Sequence, residues 1–169
     1  MKEINDEIVV STTGIGIVLH SGNVAKQIPD RYNYLQNEYW ESKKVAEHIR
    51  KGDMVGFCTG SPGNYILKFR EGYPGVEIEE KYPISIRLGI CVDDGKIYVR
   101  DLYELLEWNK ECDESRQLSI KNGYYHITLQ TQVPSSGILG DNQTIYVFLN
   151  ELDEMPQLRW NGVPQLLKV

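Results

Sequence analysis

The stretch YPISIRLGICVDDGKIYVR, Tyr82 to Arg100, decides how the chain reads. Ile84, Ile86, Leu88, Ile90 and Val92 are apolar at every second position, with Ser85, Arg87, Gly89 and Cys91 between them. A period of two marks a β-strand with one buried face. After Asp93-Asp94-Gly95 the alternation resumes, with Ile97 and Val99 set against Lys96, Tyr98 and Arg100. A two-residue turn at Asp94-Gly95 places Val92 opposite Ile97 and Ile90 opposite Val99. A three-residue turn would pair Val92 with Lys96 and split the faces, so the pattern predicts a tight hairpin.

Downstream, Leu118–Lys121, Asn122-Gly123 and Tyr124–Gln130 predict a second hairpin, because Asn and Gly both tolerate positive φ in a two-residue turn. That turn sets Ile120 opposite Tyr125 and Leu118 opposite Ile127, with His126 on the other face. Val133–Gln143, rich in Pro, Ser and Gly, is a loop, and Thr144–Leu149 is apolar on both faces, as a central strand is. Upstream, Glu7–Val10, Ile15–Leu19, Met54–Cys58 and Tyr65–Arg70 read as strands, the last burying Tyr65, Leu67 and Phe69.

A single substantial helix is expected from about Tyr32 to Arg50, capped by Asp30. Leu35, Tyr39, Ala46 and Ile49 lie on its apolar face, His48, Arg50 and Lys51 near its C-terminus, and Gly52 follows as a glycine cap. Asp101-Leu102-Tyr103-Glu104 has capping-box spacing for a short helical turn. Met155–Val169, with Trp160 and Leu166-Leu167, reads as a tail docked on the body. About nine short strands with one amphipathic helix predict a single mainly-β domain, an antiparallel two-layer β-sandwich over residues 1–169.

Composition narrows the function. A net charge of −6 argues against a phosphate backbone as partner, since that calls for a basic face. Six acids between Asp101 and Glu114 face one Lys110, so this segment holds most of the excess, and Asn150–Glu154 is a second acidic cluster. No apolar run approaches the roughly 20 residues of a membrane helix. Met1–Asp6 is polar and charged, unlike a secretion signal, so a reducing, cytoplasmic setting is expected. Cys58, Cys91 and Cys112 are odd in number and lack metal-ligand spacing.

Catalytic signatures are missing. His20, His48 and His126 are far apart and form no HxH or HExxH motif. Gly14-Ile15-Gly16 lacks the third glycine of a dinucleotide fingerprint, and Ser135-Ser136-Gly137 lacks a strand-to-helix elbow. Asp93-Asp94-Gly95 lacks the ligand spacing of a calcium loop. Neither a catalytic residue, a metal ligand nor a cofactor is expected. Trp40, Trp108, Trp160 and eleven Tyr leave a carbohydrate or small-molecule binding module as the alternative.

From Pro83 onward, YPISIRLGICVDDGKIYV, a spacer, QLSIKNGYYHITL, a loop with Asp141 and the final strand TIYVFL together resemble the ComJ-type bacterial nuclease inhibitors, a family of β-sandwich proteins. The segment before Tyr82 looks more like larger uncharacterised bacterial relatives. The resemblance implies the fold and an inhibitor or immunity-type role against a basic nuclease or toxin. Contact residues come from charge instead: Asp101, Tyr103, Glu104, Glu107, Trp108, Glu111, Asp113 and Glu114, joined by Glu151 and Asp153, with Tyr103 and Trp108 as aromatic anchors.

Overall fold

The computed structural model describes residues 3–14 and 16–166. Among the described residues nine strands form two sheets whose apolar faces share one core. The larger sheet joins β1 (Asn5–Thr12), β4 (Gly63–Glu71), β9 (Gln143–Leu152), β8 (Gly123–Thr131) and β5 (Ile84–Val92), in that order. The smaller joins β3 (Met54–Cys58), β2 (Gly16–His20), β6 (Lys96–Asp101) and β7 (Gln117–Ser119). The mainly-β, two-layer expectation holds. One pairing departs from it, because β4 and β9 run parallel and make the larger sheet mixed.

Neither expected hairpin forms. β5 pairs only with β8, whereas β6 pairs with β2 and β7 in the other sheet. Asp93–Gly95 is therefore an arch that carries the chain from one layer to the other. The residues from Ile120 to Asn122 make the same crossing, from β7 to β8. Alternation had identified the buried residues correctly: Leu88, Ile90, Ile97 and Val99 are fully buried. It reports only which face is apolar, and two strands stacked across a core bury the same residues as two strands paired side by side.

The aspartates instead fasten the first arch. Ser21 Oγ donates to Asp94 Oδ1 at 2.8 Å, Tyr98 Oη donates to Asp94 Oδ2 at 2.8 Å, and Asn23 N–H donates to Asp93 Oδ1 at 3.1 Å. The two arches also clasp each other, since Gly95 N–H donates to Asn122 Oδ1 at 2.6 Å and Ile120 N–H to the Gly95 carbonyl at 3.0 Å.

The expected long helix is broken. After α1 (Gly22–Lys26) come α2 (Tyr34–Glu38) and α3 (Ser42–Lys51), separated at Tyr39–Glu41. Asn33, not Asp30, caps α2, accepting from Gln36 N–H at 3.0 Å. The break lets Tyr39 turn inward, where its buried hydroxyl accepts from Gly56 N–H at 2.7 Å, on the open edge of β3. Tyr39→Phe should cost about 1–3 kcal/mol in urea unfolding, because a buried amide would lose its acceptor. Gly52 closes α3 in the left-handed conformation, φ 68°, as expected. A further helix, α4 (Val76–Lys81), lies in the stretch between β4 and β5.

β9 is central between β4 and β8, and Tyr65, Leu67 and Phe69 are fully buried, both as expected. The tail docks through Leu166, whose N–H donates to the carbonyl of Cys58 at the end of β3, while Ile15 and Leu167 lie outside the described residues. Among the described residues no helix is long and apolar enough to cross a membrane.

Candidate functional site

The acidic segment begins where β6 ends. Asp101 caps a 3-10 turn over Leu102–Leu106 with the expected capping box, and Glu104 Oε2 accepts from Asp101 N–H at 2.7 Å. Asp101 Oδ2 also accepts from the amide and hydroxyl of Thr13, each at 3.0 Å. Glu104 takes a two-pronged ion pair from Arg116, at 2.7 and 3.2 Å. These two carboxylates are engaged inside the protein, and Asp101 is buried. They hold the segment in shape and are not free to meet a partner.

Trp108 is no anchor either, being only 1% exposed. Its backbone N–H donates to the Tyr32 carbonyl at 3.1 Å and its backbone carbonyl accepts from Arg31 N–H at 2.6 Å, which locks residues 31–32 to the segment. An indole with this much apolar area gains most by entering the core. The exposed remainder is Tyr103, Glu107, Glu111, Asp113 and Glu114. Asp113 caps a second turn, accepting from Ser115 N–H at 2.9 Å and Ser115 Oγ at 2.7 Å, and these bonds hold its carboxyl below the usual aspartate range.

Beneath the segment lies a buried polar stack that sequence reading missed. Arg100, 1% exposed, sits 4.1 Å over the Trp108 ring, and its Nε donates to His20 Nε2 at 2.9 Å. His20 in turn donates from Nδ1 to the Ser21 carbonyl at 2.8 Å and stacks on Tyr98. Burial, reinforced by the Arg100 charge, pushes the His20 pKa down to about 4. An imidazole accepting from a guanidinium must be neutral, so protonation and this geometry exclude each other.

A pH dependence follows. The unfolded imidazole gains its proton near 6.5 and the folded one near about 4, so between these values the unfolded chain binds more protons. Stability should therefore fall as pH drops through this window, by on the order of 3 kcal/mol in all. His48 behaves oppositely: burial opposes its charge, but the hydrogen bond and charge of Asp53, with Glu38, outweigh it and raise the pKa. Its contribution is complete below 6.5 and is lost only at higher pH, so it adds no slope in the window. Urea titrations from pH 7 to 4.5 test this, and His20→Gln should flatten the profile. An unchanged slope in that variant would assign the effect elsewhere.

Glu151 and Asp153 belong to a different region. Both are exposed, and Lys121 Nζ lies 3.0 Å from Glu151 Oε1. Glu151 lines an open cleft of about 920 Å³ with Ile4, Glu71, Ile120, Tyr125 and Leu149, and no residue of Asp101–Glu114 reaches it. The three tryptophans form no shared platform: Trp40 is exposed, Trp108 is in the core, and half-buried Trp160 bonds the Arg87 carbonyl at 3.3 Å. His126 pairs with Tyr73 Oη at 2.7 Å, and burial together with Arg87 lowers its pKa. All three cysteines are half-buried, and burial raises each thiol pKa, the reverse of what a nucleophile needs. Among the described residues no three His, Cys, Asp or Glu side chains gather so as to hold a metal ion.

No protein-family model matches the chain, and no curated protein matches it. Solved structures do share its shape. ComJ from Bacillus subtilis, an inhibitor of the DNA-degrading activity of NucA, superposes with a TM-score of 0.55 at 12% identity, over 90% of this chain and 100% of that one. The crocagin biosynthetic gene J protein gives 0.55 at 13% identity, over 88% and 98%. Coverage this wide takes in most of the segment before Tyr82, which the sequence had set apart from the ComJ type. The chain is thus similar in fold, across nearly its whole length, to ComJ and to the crocagin protein.

Proposed function

We propose that this protein is a binding protein of inhibitor or immunity type, which covers the working surface of a basic nuclease or toxin and does no chemistry itself. The observation that supports this most is the fixed acidic surface. Glu107, Glu111, Asp113 and Glu114 all face solvent, on a segment pinned by the Asp101 cap, the Glu104–Arg116 pair and the buried Trp108. A charged surface held in place before contact loses little freedom on binding and speeds encounter with an opposite charge. The fold shared with ComJ, an inhibitor of the nuclease NucA, supports the same reading. Tyr103 supplies the exposed aromatic contact, and Glu151 with Asp153 forms a separate acidic edge.

The test is capture of partners from a lysate of the source cell at about 50 mM and about 500 mM salt, the range over which surface attraction is screened. The captured protein is then assayed for hydrolytic activity with and without the bait. A basic protein retained at low salt and silenced by the bait is the expected result. Retention that ignores salt, or a partner whose activity is untouched, would overturn the proposal.

A further inference from the structure

A β-sheet ends in rows of unpaired amides and carbonyls, and proteins normally cover them. Three of the four edges here are managed. On β3, Gly56 N–H reaches the Tyr39 hydroxyl and Cys58 N–H the Pro164 carbonyl. On β5, Cys91 N–H donates to the Gly52 carbonyl, the Arg87 carbonyl accepts from Trp160, and Met155 and Pro156 close over Gly89. β7 is only three residues long. The fourth edge, β1, is eight residues long and, among the described residues, pairs with β4 alone.

The direction of its free groups follows from the ladder. Successive residues of a strand aim their N–H and C=O to opposite sides. Asn64 and Gly72 donate toward the β9 side, to Gly140 and Leu149, so the even-numbered residues of β4 face β9 and its odd-numbered ones face β1. Tyr65, Leu67 and Phe69 stand opposite Val10, Ile8 and Asp6, which therefore hold the β4 ladder. Glu7, Val9 and Ser11 point outward. The row is bounded at each end: Asn5 N–H is taken by Asp6 Oδ1 at 3.3 Å and Thr13 N–H by Asp101 Oδ2 at 3.0 Å. Between these, Glu7, Val9 and Ser11 are exposed, Val9 at 61%, and among the described residues their amides and carbonyls have no partner.

We infer that this edge of β1 receives an extended, lysine- or arginine-bearing segment of the partner protein as a sixth strand. The inference rests on the inhibitor reading and names how the partner docks. Main-chain bonds to Glu7, Val9 and Ser11 supply the pairing, and Val9 meets an apolar side chain of the incoming strand. Charge selects the occupant. Asp6 and Glu7 lie on the strand, and the turn Glu114–Arg116, preceded by Asp113, packs against it. Glu7 has a distant ion pair with Lys68 at 3.8 Å, and Arg116 is already held by Glu104. A second copy joined β1 to β1 would bring two sets of these carboxylates together, whereas a basic strand would neutralise them.

The probe is the acetylated and amidated peptide (Lys-Val)4, added at up to millimolar concentration to the full-length protein and followed by amide NMR. The amides of Glu7, Val9 and Ser11 should shift and gain exchange protection, while those of Ile8 and Val10 stay near their starting values. Val9→Pro removes an outward amide and should weaken peptide binding tenfold or more with little change in melting temperature. If that variant fails to fold, Ser11→Pro makes the same test. No binding, equal binding of (Glu-Val)4, shifts confined to other surfaces, or concentration-dependent protection of these amides without peptide would each overturn the inference. The last would assign the edge to a second copy. If the captured partner binds Val9→Pro as well as the parent, the edge falls and the inhibitor reading stands; if only the peptide binds, the reverse holds.

Discussion

Trp108→Ala should lower stability by about 3–5 kcal/mol, the range for removing a fully buried large aromatic. The indole is 1% exposed and lies against Arg100, His20 and Tyr34, so truncation opens a cavity and strips Arg100 of the ring beneath its charge. Denaturation should show the urea midpoint falling by about 2 M with the slope unchanged, taking a slope of roughly 2 kcal/mol/M. Trp108→Phe, which keeps a ring over the guanidinium, should lose less. Partner affinity, measured where each variant is folded, should change little. An affinity loss in a stable Trp108→Ala variant would return this residue to the contact surface where charge and composition had first placed it.

The second large effect concerns rate. Changing Glu107, Glu111 and Glu114 to Gln and Asp113 to Asn removes four exposed charges, and Asn still serves as a cap for the turn at Ser115. Association with the captured basic partner should slow about 10- to 100-fold at low ionic strength, with a flatter salt dependence and little change in dissociation. Glu104→Gln is the informative contrast. Its carboxylate pairs with Arg116 within the chain, so its loss should appear as reduced stability and leave the on-rate near that of the parent. Equal on-rates for the fourfold variant and the parent would remove the electrostatic basis of the proposed function.

What the sequence made legible was local. Alternation located Tyr65, Leu67 and Phe69 in the core, and the spacing of Asp101 and Glu104 located a capped turn, because each signal spans a few residues. What it hid was pairing at a distance. Ile97 and Val99 are buried as expected, yet the strand beside them is β2 and not β5. The helix breaks at Tyr39 because a glycine amide 17 positions away needs an acceptor, and no local propensity records that need. The acidic segment was legible as a charge run, but its division into buried, paired and exposed carboxylates depended on Thr13 and Arg116, which no spacing rule would connect to it. The Arg100–His20 contact joins residues 80 apart, and the open edge of β1 is visible only once every other edge is accounted for.

The clasped arches bear on how fast the molecule can assemble. With Asp93–Gly95 and Ile120–Asn122 each crossing between layers, two of the chain's tightest connections close no β ladder of their own. Sheet pairing must instead wait for distant partners, the furthest being β2 with β6, where Ile17 meets Asp101, and nearly as far β4 with β9, where Tyr65 meets Gln143. Loop closure of that span comes before any ladder bond repays it, so this chain belongs among the slow folders, on the order of milliseconds to seconds. Until the last strand arrives the side of β4 that β9 will cover stays unpaired, and a newly made chain spends that interval open to pairing with its neighbours.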